Sequence, residues 1–284
     1  MKIILFFLLA SGSLFGFSQN LHANLFAGIA NYQGDLQNKR FTLDQSNPSF
    51  GLGLSYDLSS KVSIRSGFTY GKVEGDDKKN TGVKGNDLRN LNFKSAISEL
   101  HVGLEYNLLN IEDSRLTPYV FGAIAVFHFN PYTKDKEGNK IYLQPLSTEG
   151  QGLSAYPDRK EYKLTQFSIP FGGGLKFRLS ETVQVGLELG IRKLFTDYLD
   201  DVSSTYVDQN ILLTAKGSKA VELAFRGNEI NTGAAYPASG EQRGNPKRKD
   251  LYYFSGIRVS KLLSPGSGNG GRGKSKTGCP RSVF

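Results

Sequence analysis

The side chains equipped for chemistry are few. His101 shares an alternating row with Glu99 and Glu105, and His128 follows further along the chain. A membrane-edge phospholipase or acyltransferase needs a histidine with a hydroxyl or carboxylate partner, but nothing around either residue goes beyond ordinary hydrogen bonding, so no catalytic residue is assigned. Asp197, Asp200, Asp201 and Asp208 offer oxygen ligands of the kind calcium takes, yet they lack the Asp-x-Asp-x-Asp-Gly spacing of a calcium loop. They read as a solvated or turn-forming acidic segment. Gly172-Gly173-Gly174 lacks the following helix that a phosphate cradle requires, and with Pro170 just before it marks a bend, a bulge or close packing within a strand. Cys279 is alone in the chain, and the histidines are never close in sequence, which excludes a disulfide framework and a Cys/His zinc pattern. No cofactor or metal is expected.

These residues must be positioned by something other than membrane helices. The 284 residues carry a net charge of +9 and only 38% hydrophobic residues, with a mean hydropathy of -0.34. The one long apolar run is Ile3 to Ala10, preceded by Lys2 and followed by Gly16-Phe17-Ser18. That is a secretory signal, residues 1–18, and the mature chain is expected to start at Gln19.

Beyond it, apolar residues alternate with small or polar ones, the mark of strands with one apolar face. In Phe50-Gly51-Leu52-Gly53-Leu54-Ser55-Tyr56-Asp57-Leu58 every even position is large and apolar, and after a turn the pattern resumes at Val62, Ile64, Phe68 and Tyr70. A second hairpin sets Leu100, Val102, Leu104 and Tyr106 opposite Glu99, His101, Gly103 and Glu105, then continues from Thr117 to Phe129. In a third, Phe167, Ile169, Phe171, Leu175 and Phe177 share a face, and Val185, Leu187, Leu189 and Ile191 oppose Gln184, Gly186, Glu188, Gly190 and Arg192. With strands near 21–32 and 251–262, the count is about eight strands of about 9–12 residues, suited to tilted bilayer crossings.

Connections alternate strictly between long (33–48, 74–90, 130–163, 195–249) and short. Outer-membrane barrels do this, with tight periplasmic turns and long outer loops, and an even strand number puts both termini in the periplasm. The expected fold is therefore all-β: a transmembrane antiparallel barrel over residues 19–263, in contact with outer-membrane lipid. The polar rows carry Arg65, Glu99, Glu105, Glu188, Arg192 and Arg258; balanced charges in so narrow a lumen predict a closed plug rather than a pore. His101 and His128 are expected there as hydrogen-bonded residues, and Tyr32, Tyr56, Tyr70, Tyr119 and Tyr253 in an interfacial girdle. The alternative is a soluble lipocalin-like barrel with the apolar rows turned inward.

Residues 264–284 are glycine-rich and basic, with Arg272, Lys274, Lys276 and Arg281 and no acid: a flexible tail. No nucleic-acid partner is expected. Cys279 near its end predicts an intermolecular disulfide or a free thiol in an oxidising compartment.

Four loop stretches are distinctive: Ala30-Asn31-Tyr32-Gln33-Gly34-Asp35-Leu36; Phe127-His128-Phe129-Asn130-Pro131; Leu143-Gln144-Pro145-Leu146-Ser147-Thr148-Glu149-Gly150-Gln151-Gly152; and Phe195-Thr196-Asp197-Tyr198-Leu199-Asp200-Asp201-Val202-Ser203. They resemble the PorG-like family of outer-membrane barrels, a component of the type IX secretion system. The resemblance implies a non-enzymatic role, tying a periplasmic ring of a lipoprotein and its partner to the outer membrane. On that reading Cys279 and the basic tail bind the ring. Tyr32, Asp35, Glu149, Asp197 and Asp201 serve loop packing or an outer-face contact. The segment 209–249 matches the family pattern least. The competing function is a free-standing small barrel that binds surface ligands or acts as a minor porin.

Overall fold

The structure, a computed structural model, describes residues 20–39, 42–79, 86–110 and 114–263. The expected signal segment, and the tail with Arg272, Lys274, Lys276, Cys279 and Arg281, lie outside these residues. Alternation becomes strand where expected: β1 (Leu21–Gln33), β2 (Asn47–Asp57), β3 (Val62–Asp76), β4 (Asn92–Asn107), β5 (Leu116–Phe129), then a small hairpin β6 (Tyr132–Lys134) and β7 (Lys140–Tyr142), followed by β8 (Thr165–Arg178), β9 (Val183–Leu194) and β10 (Leu251–Leu262). The sheet order is β3-β2-β1-β10-β9-β8-β5-β4, and pairing of β3 with β4 closes it into an eight-stranded barrel from which β6 and β7 extend. Every pairing is antiparallel. Closure leaves no sheet edge along the barrel, the condition for a strand-built structure to sit in lipid.

The apolar rows face outward. Leu52 is 64% exposed, Leu100 65%, Phe167 68% and Leu187 62%, whereas Glu99 and Glu105 on the alternating row are buried. This is the inverse of a soluble barrel and rules out the lipocalin-like alternative; the exposed rows are the surface that lipid covers. No helix among the described residues is long and apolar enough to cross a membrane.

The short β2–β3, β4–β5 and β8–β9 turns lie at one end of the barrel, and the long connections β1–β2, β3–β4, β5–β8 and β9–β10 at the other. Among the described residues the connections hold three short α-helices: α1 (Asn86–Arg89), α2 (Gln209–Lys216) and α3 (Ser218–Ala224). Asp208 starts α2 by accepting the amides of Asn210 and Ile211, a cap that satisfies otherwise orphaned donors. The main apolar core lies under these loops rather than at mid-barrel, joining Tyr32, Leu36, Phe93, Phe129, Tyr162 and Leu199; a second cluster packs Leu212, Ala220 and Ala224 against Val207.

Several expectations are corrected here. Tyr32 and Tyr119 are buried inside the barrel rather than placed in a girdle, while Tyr70 does face outward. His128 points out of the barrel and bonds Thr165 Oγ1 at 2.9 Å. Asp197, Asp200 and Asp201 after β9 are buried, not solvated, whereas Asp208 is half-buried. As expected, the glycines of β8 serve close packing: a Cβ on Gly172 would lie 2.1 Å from the Leu189 carbonyl oxygen, and one on Gly174 2.9 Å from the Tyr119 hydroxyl. The ladder with β5 loses its partners at Ile169 and Pro170, where the imide has no N–H to give.

Candidate functional site: a charge-filled lumen beneath a loop cap

Strand alternation delivers Arg65, Glu99, Glu105, Glu188, Arg192 and Arg258 to the lumen, and the structure gathers them into two clusters. In the first, Arg65 grips Glu188 with two nitrogens, at 2.9 and 3.0 Å, and reaches Glu105 at 3.3 Å. Arg258 donates to Glu105 at 2.6 Å and to Glu188 at 3.3 Å. Lys176 completes it, bonded to Glu105 and, at 3.0 Å, to Asn107, and the Tyr119 hydroxyl donates to Glu188 at 2.8 Å. In the second, nearer the loops, Arg192 holds Glu99 through Nε and Nη2, each at 3.0 Å, and Tyr252 donates to the same carboxylate at 2.6 Å. His101 Nδ1 stands 3.5 Å from Glu99. Aromatic rings lie against the cations, with Arg65 4.2 Å from the Phe121 centroid and Arg192 4.4 Å from that of Phe254.

Desolvated charges persist only when paired and fully hydrogen-bonded, and these are. They also occupy the bore. A void of about 30 Å³ between Arg65, His101 and Arg192 is room for a water or two. A continuous aqueous path would require these pairs to part. Lys176 is the lumen residue that sequence reading passed over, although it stands on the same alternating row as Gly174 and opposite Leu175 and Phe177.

Above the lumen the loops interlock around Glu149. Its carboxylate accepts the amides of Ser203 and Ser204, both at 2.9 Å, the Ser204 hydroxyl at 2.6 Å and Arg243 Nη1 at 3.0 Å, with Tyr198 at 3.3 Å. Arg243 also donates to the carbonyls of Asp201, at 2.6 Å, and Ala224, at 3.1 Å. Asp201 accepts the hydroxyls of Thr148, at 2.6 Å, and Tyr162, at 2.7 Å, and Tyr162 stacks on Tyr198 at 4.9 Å. Asp200 accepts from the Tyr32 hydroxyl, which lies 3.4 Å from Asp250; Asp250 takes the amide of Leu199 at 2.9 Å. Asp197 bonds the Ser203 hydroxyl at 2.7 Å, and Asp35 the amide of Asn245 at 2.9 Å. Gly150 and Gly152 turn the chain at φ +78° and +75°, a conformation side chains resist; the Gln151 side chain between them accepts the Glu149 amide at 3.0 Å. Gly34 passes so close to Tyr32 and Asp250 that a Cβ would collide with both. Asn130 gives its amide to Ser95 at 3.0 Å, and the carbonyls of Pro131 and Pro145 accept from Leu143 and Lys216.

Burial raises the carboxyls of the cap. Asp197 and Asp201 are each pushed up to about 6, the latter against the pull of Arg243. Asp200 and Asp250 go well above the carboxylate range through burial and neighbouring aspartates. Among the described residues no group of three or more His, Cys, Asp or Glu side chains is arranged to hold a metal ion. Each aspartate is met by a protein donor.

Outward apolar rows, a closed antiparallel eight-stranded wall and a paired, charged interior define a small transmembrane β-barrel of the outer-membrane type. The chain belongs to the DUF6089 family, described as a domain of unknown function, whose model matches residues 1–214. Neisserial surface protein A has a similar structure, with a TM-score of 0.43 at 8% identity over 85% of this chain and 96% of its own. Ail, the attachment invasion locus protein of Yersinia pestis, in complex with the heparin analogue sucrose octasulfate, gives 0.39 at 8% identity over 85% and 96%. OprG from Pseudomonas aeruginosa gives 0.36 at 8% over 85% and 96%. These are likenesses of fold. No curated protein matches the sequence.

Proposed function

We propose that this protein is a non-enzymatic, non-conducting outer-membrane scaffold whose ordered loop cap is its working surface. One observation carries the reading: the bore is occupied by the Arg65–Glu188–Arg258–Glu105 network, so the barrel holds its loops in place rather than passing solutes. That favours a free-standing barrel that binds at its surface over a minor porin. Planar-bilayer recording tests it. The expected outcome is no steady conductance from the intact protein; open channels at neutral pH would overturn it.

The resemblance of the loop stretches to PorG-like barrels supports a more particular role, tethering a periplasmic ring of the type IX secretion machinery through Cys279, Arg272, Lys274, Lys276 and Arg281. The test is isolation from membranes in mild detergent without reductant, beside Cys279→Ser. Co-purification of a ring lipoprotein, with a disulfide adduct lost in the serine variant, is expected. Recovery of the barrel alone would leave the free-standing scaffold as the function.

A further inference from the structure

The lipid-facing wall carries a cluster of cations where β9 and the chain leading into β10 meet the loops. There a groove of about 720 Å³ has Phe171, Ile191 and Leu251 along its floor and Lys193, Arg248 and Lys249 at its rim, with no carboxylate among its lining residues. Lys193 continues the outward row of Leu187 and lies in the ladder between Ile169 and Leu251. A cation on the lipid face is costly at mid-bilayer and tolerated near the interface, so Lys193 marks headgroup depth. Its surroundings differ from those of Lys94, another outward lysine near the loop end, which is neutralised by Glu74 at 2.9 Å. Around the groove the acceptors are neutral: Arg248 donates to the Asn38 side-chain oxygen at 2.8 Å, and Lys249 to the Pro246 carbonyl at 3.2 Å. Among the described residues Lys193, Arg248 and Lys249 make no ion pair within 4 Å, although Arg248 lies within electrostatic reach of Asp35 and Lys249 within that of Asp197. Three converging cations without a bound carboxylate above an apolar trough match one chemistry, a phosphate-bearing headgroup with its acyl chain below.

We infer that this groove is a binding site for a membrane lipid with a phosphorylated headgroup, held by Lys193, Arg248 and Lys249 while an acyl chain lies along Phe171, Ile191 and Leu251. It requires the barrel to span a bilayer and is independent of any secretion role.

The test is native mass spectrometry of the full chain released from phosphatidylcholine nanodiscs doped with diphosphoryl lipid A. Retention of lipid A in preference to phosphatidylcholine is expected, weakened about fivefold by Lys193→Gln and about 25-fold when Lys249→Gln is added. Heat-modifiable migration checks that both variants remain folded. Lys72→Gln, an outward lysine on β3 away from the groove, should leave retention unchanged, as should free inorganic phosphate. Equal retention by wild type and the double variant, equal loss in Lys72→Gln, or displacement by inorganic phosphate would each overturn the assignment.

Discussion

Arg243 Nη1 donates to Glu149 Oε1 at 3.0 Å, and both side chains are almost wholly buried. The two residues lie 94 positions apart, so this contact clasps the last long loop onto the third. Every other donor to the Glu149 carboxylate comes from the same last loop, at Tyr198, Ser203 and Ser204. Removing the carboxylate with Glu149→Ala strands the Arg243 charge, and truncating one partner of a buried pair costs about 3–5 kcal/mol. We expect the cap to loosen while the barrel stays folded: loop proteolysis accelerates, with heat-modifiable migration retained. Unchanged loop protection would show that the clasp is dispensable.

The lumen should behave as coupled pairs. Arg192→Ala leaves Glu99 with only Tyr252 and the neighbouring His101, and Glu99→Ala leaves Arg192 uncompensated. Each single change is expected to cost about 3–5 kcal/mol, and the double change less than the sum. Urea titration of refolding into lipid vesicles reads all three. Strict additivity would mean that the pair is not coupled.

Leu187, near mid-strand on the lipid face, sets the opposite test. Leu187→Arg should cost about 2–4 kcal/mol if that face meets the bilayer midplane. The same refolding assay measures it, and near-wild-type stability would refute the assignment of that row to lipid.

The cap should tighten on mild acidification. Asp197 and Asp201 bind protons in the folded cap at about pH 6, while an unfolded aspartate does so near 4. Between those values the folded state holds more protons than the unfolded one, so stability falls as pH rises through the window and stays lower above it. Amide hydrogen exchange in residues 195–205, corrected for its intrinsic pH dependence, should be slower at pH 5 than at pH 7.5. Asp201→Asn should flatten part of the difference. Exchange protection that is greater at pH 7.5 would reverse the sign and sink the account.

The barrel was legible because rows such as Leu100-Val102-Leu104 against Glu99-His101-Glu105 differ sharply in polarity, and a period of two assigns each row to a face. The signal fails where both rows are apolar. In β5 the inward row holds Tyr119, Phe121 and Phe127 while the outward row is also largely hydrophobic, so hydropathy carried no contrast and Tyr119 was misplaced. Tyr32 misled for a related reason: an aromatic at a strand end suits an interface, but this one lies beneath the loop core. In the cap, Glu149, Asp200 and Asp201 stand out through their motif stretches, whereas Arg243 and Tyr162 do not. Loop partners meet through tertiary closure, which leaves no periodic trace in sequence.

β1 pairs with β10 from His22–Leu262 to Gln33–Leu251, so the first strand made on the ribosome cannot complete its ladder until the last has arrived. Until then both are open templates for pairing with a neighbouring chain, across the greatest sequence separation in the barrel. Such non-local closure is slow. The protein therefore depends on being escorted, edges covered, through the interval between synthesis and insertion, and damage to its final strand should direct it to proteolysis rather than to the membrane.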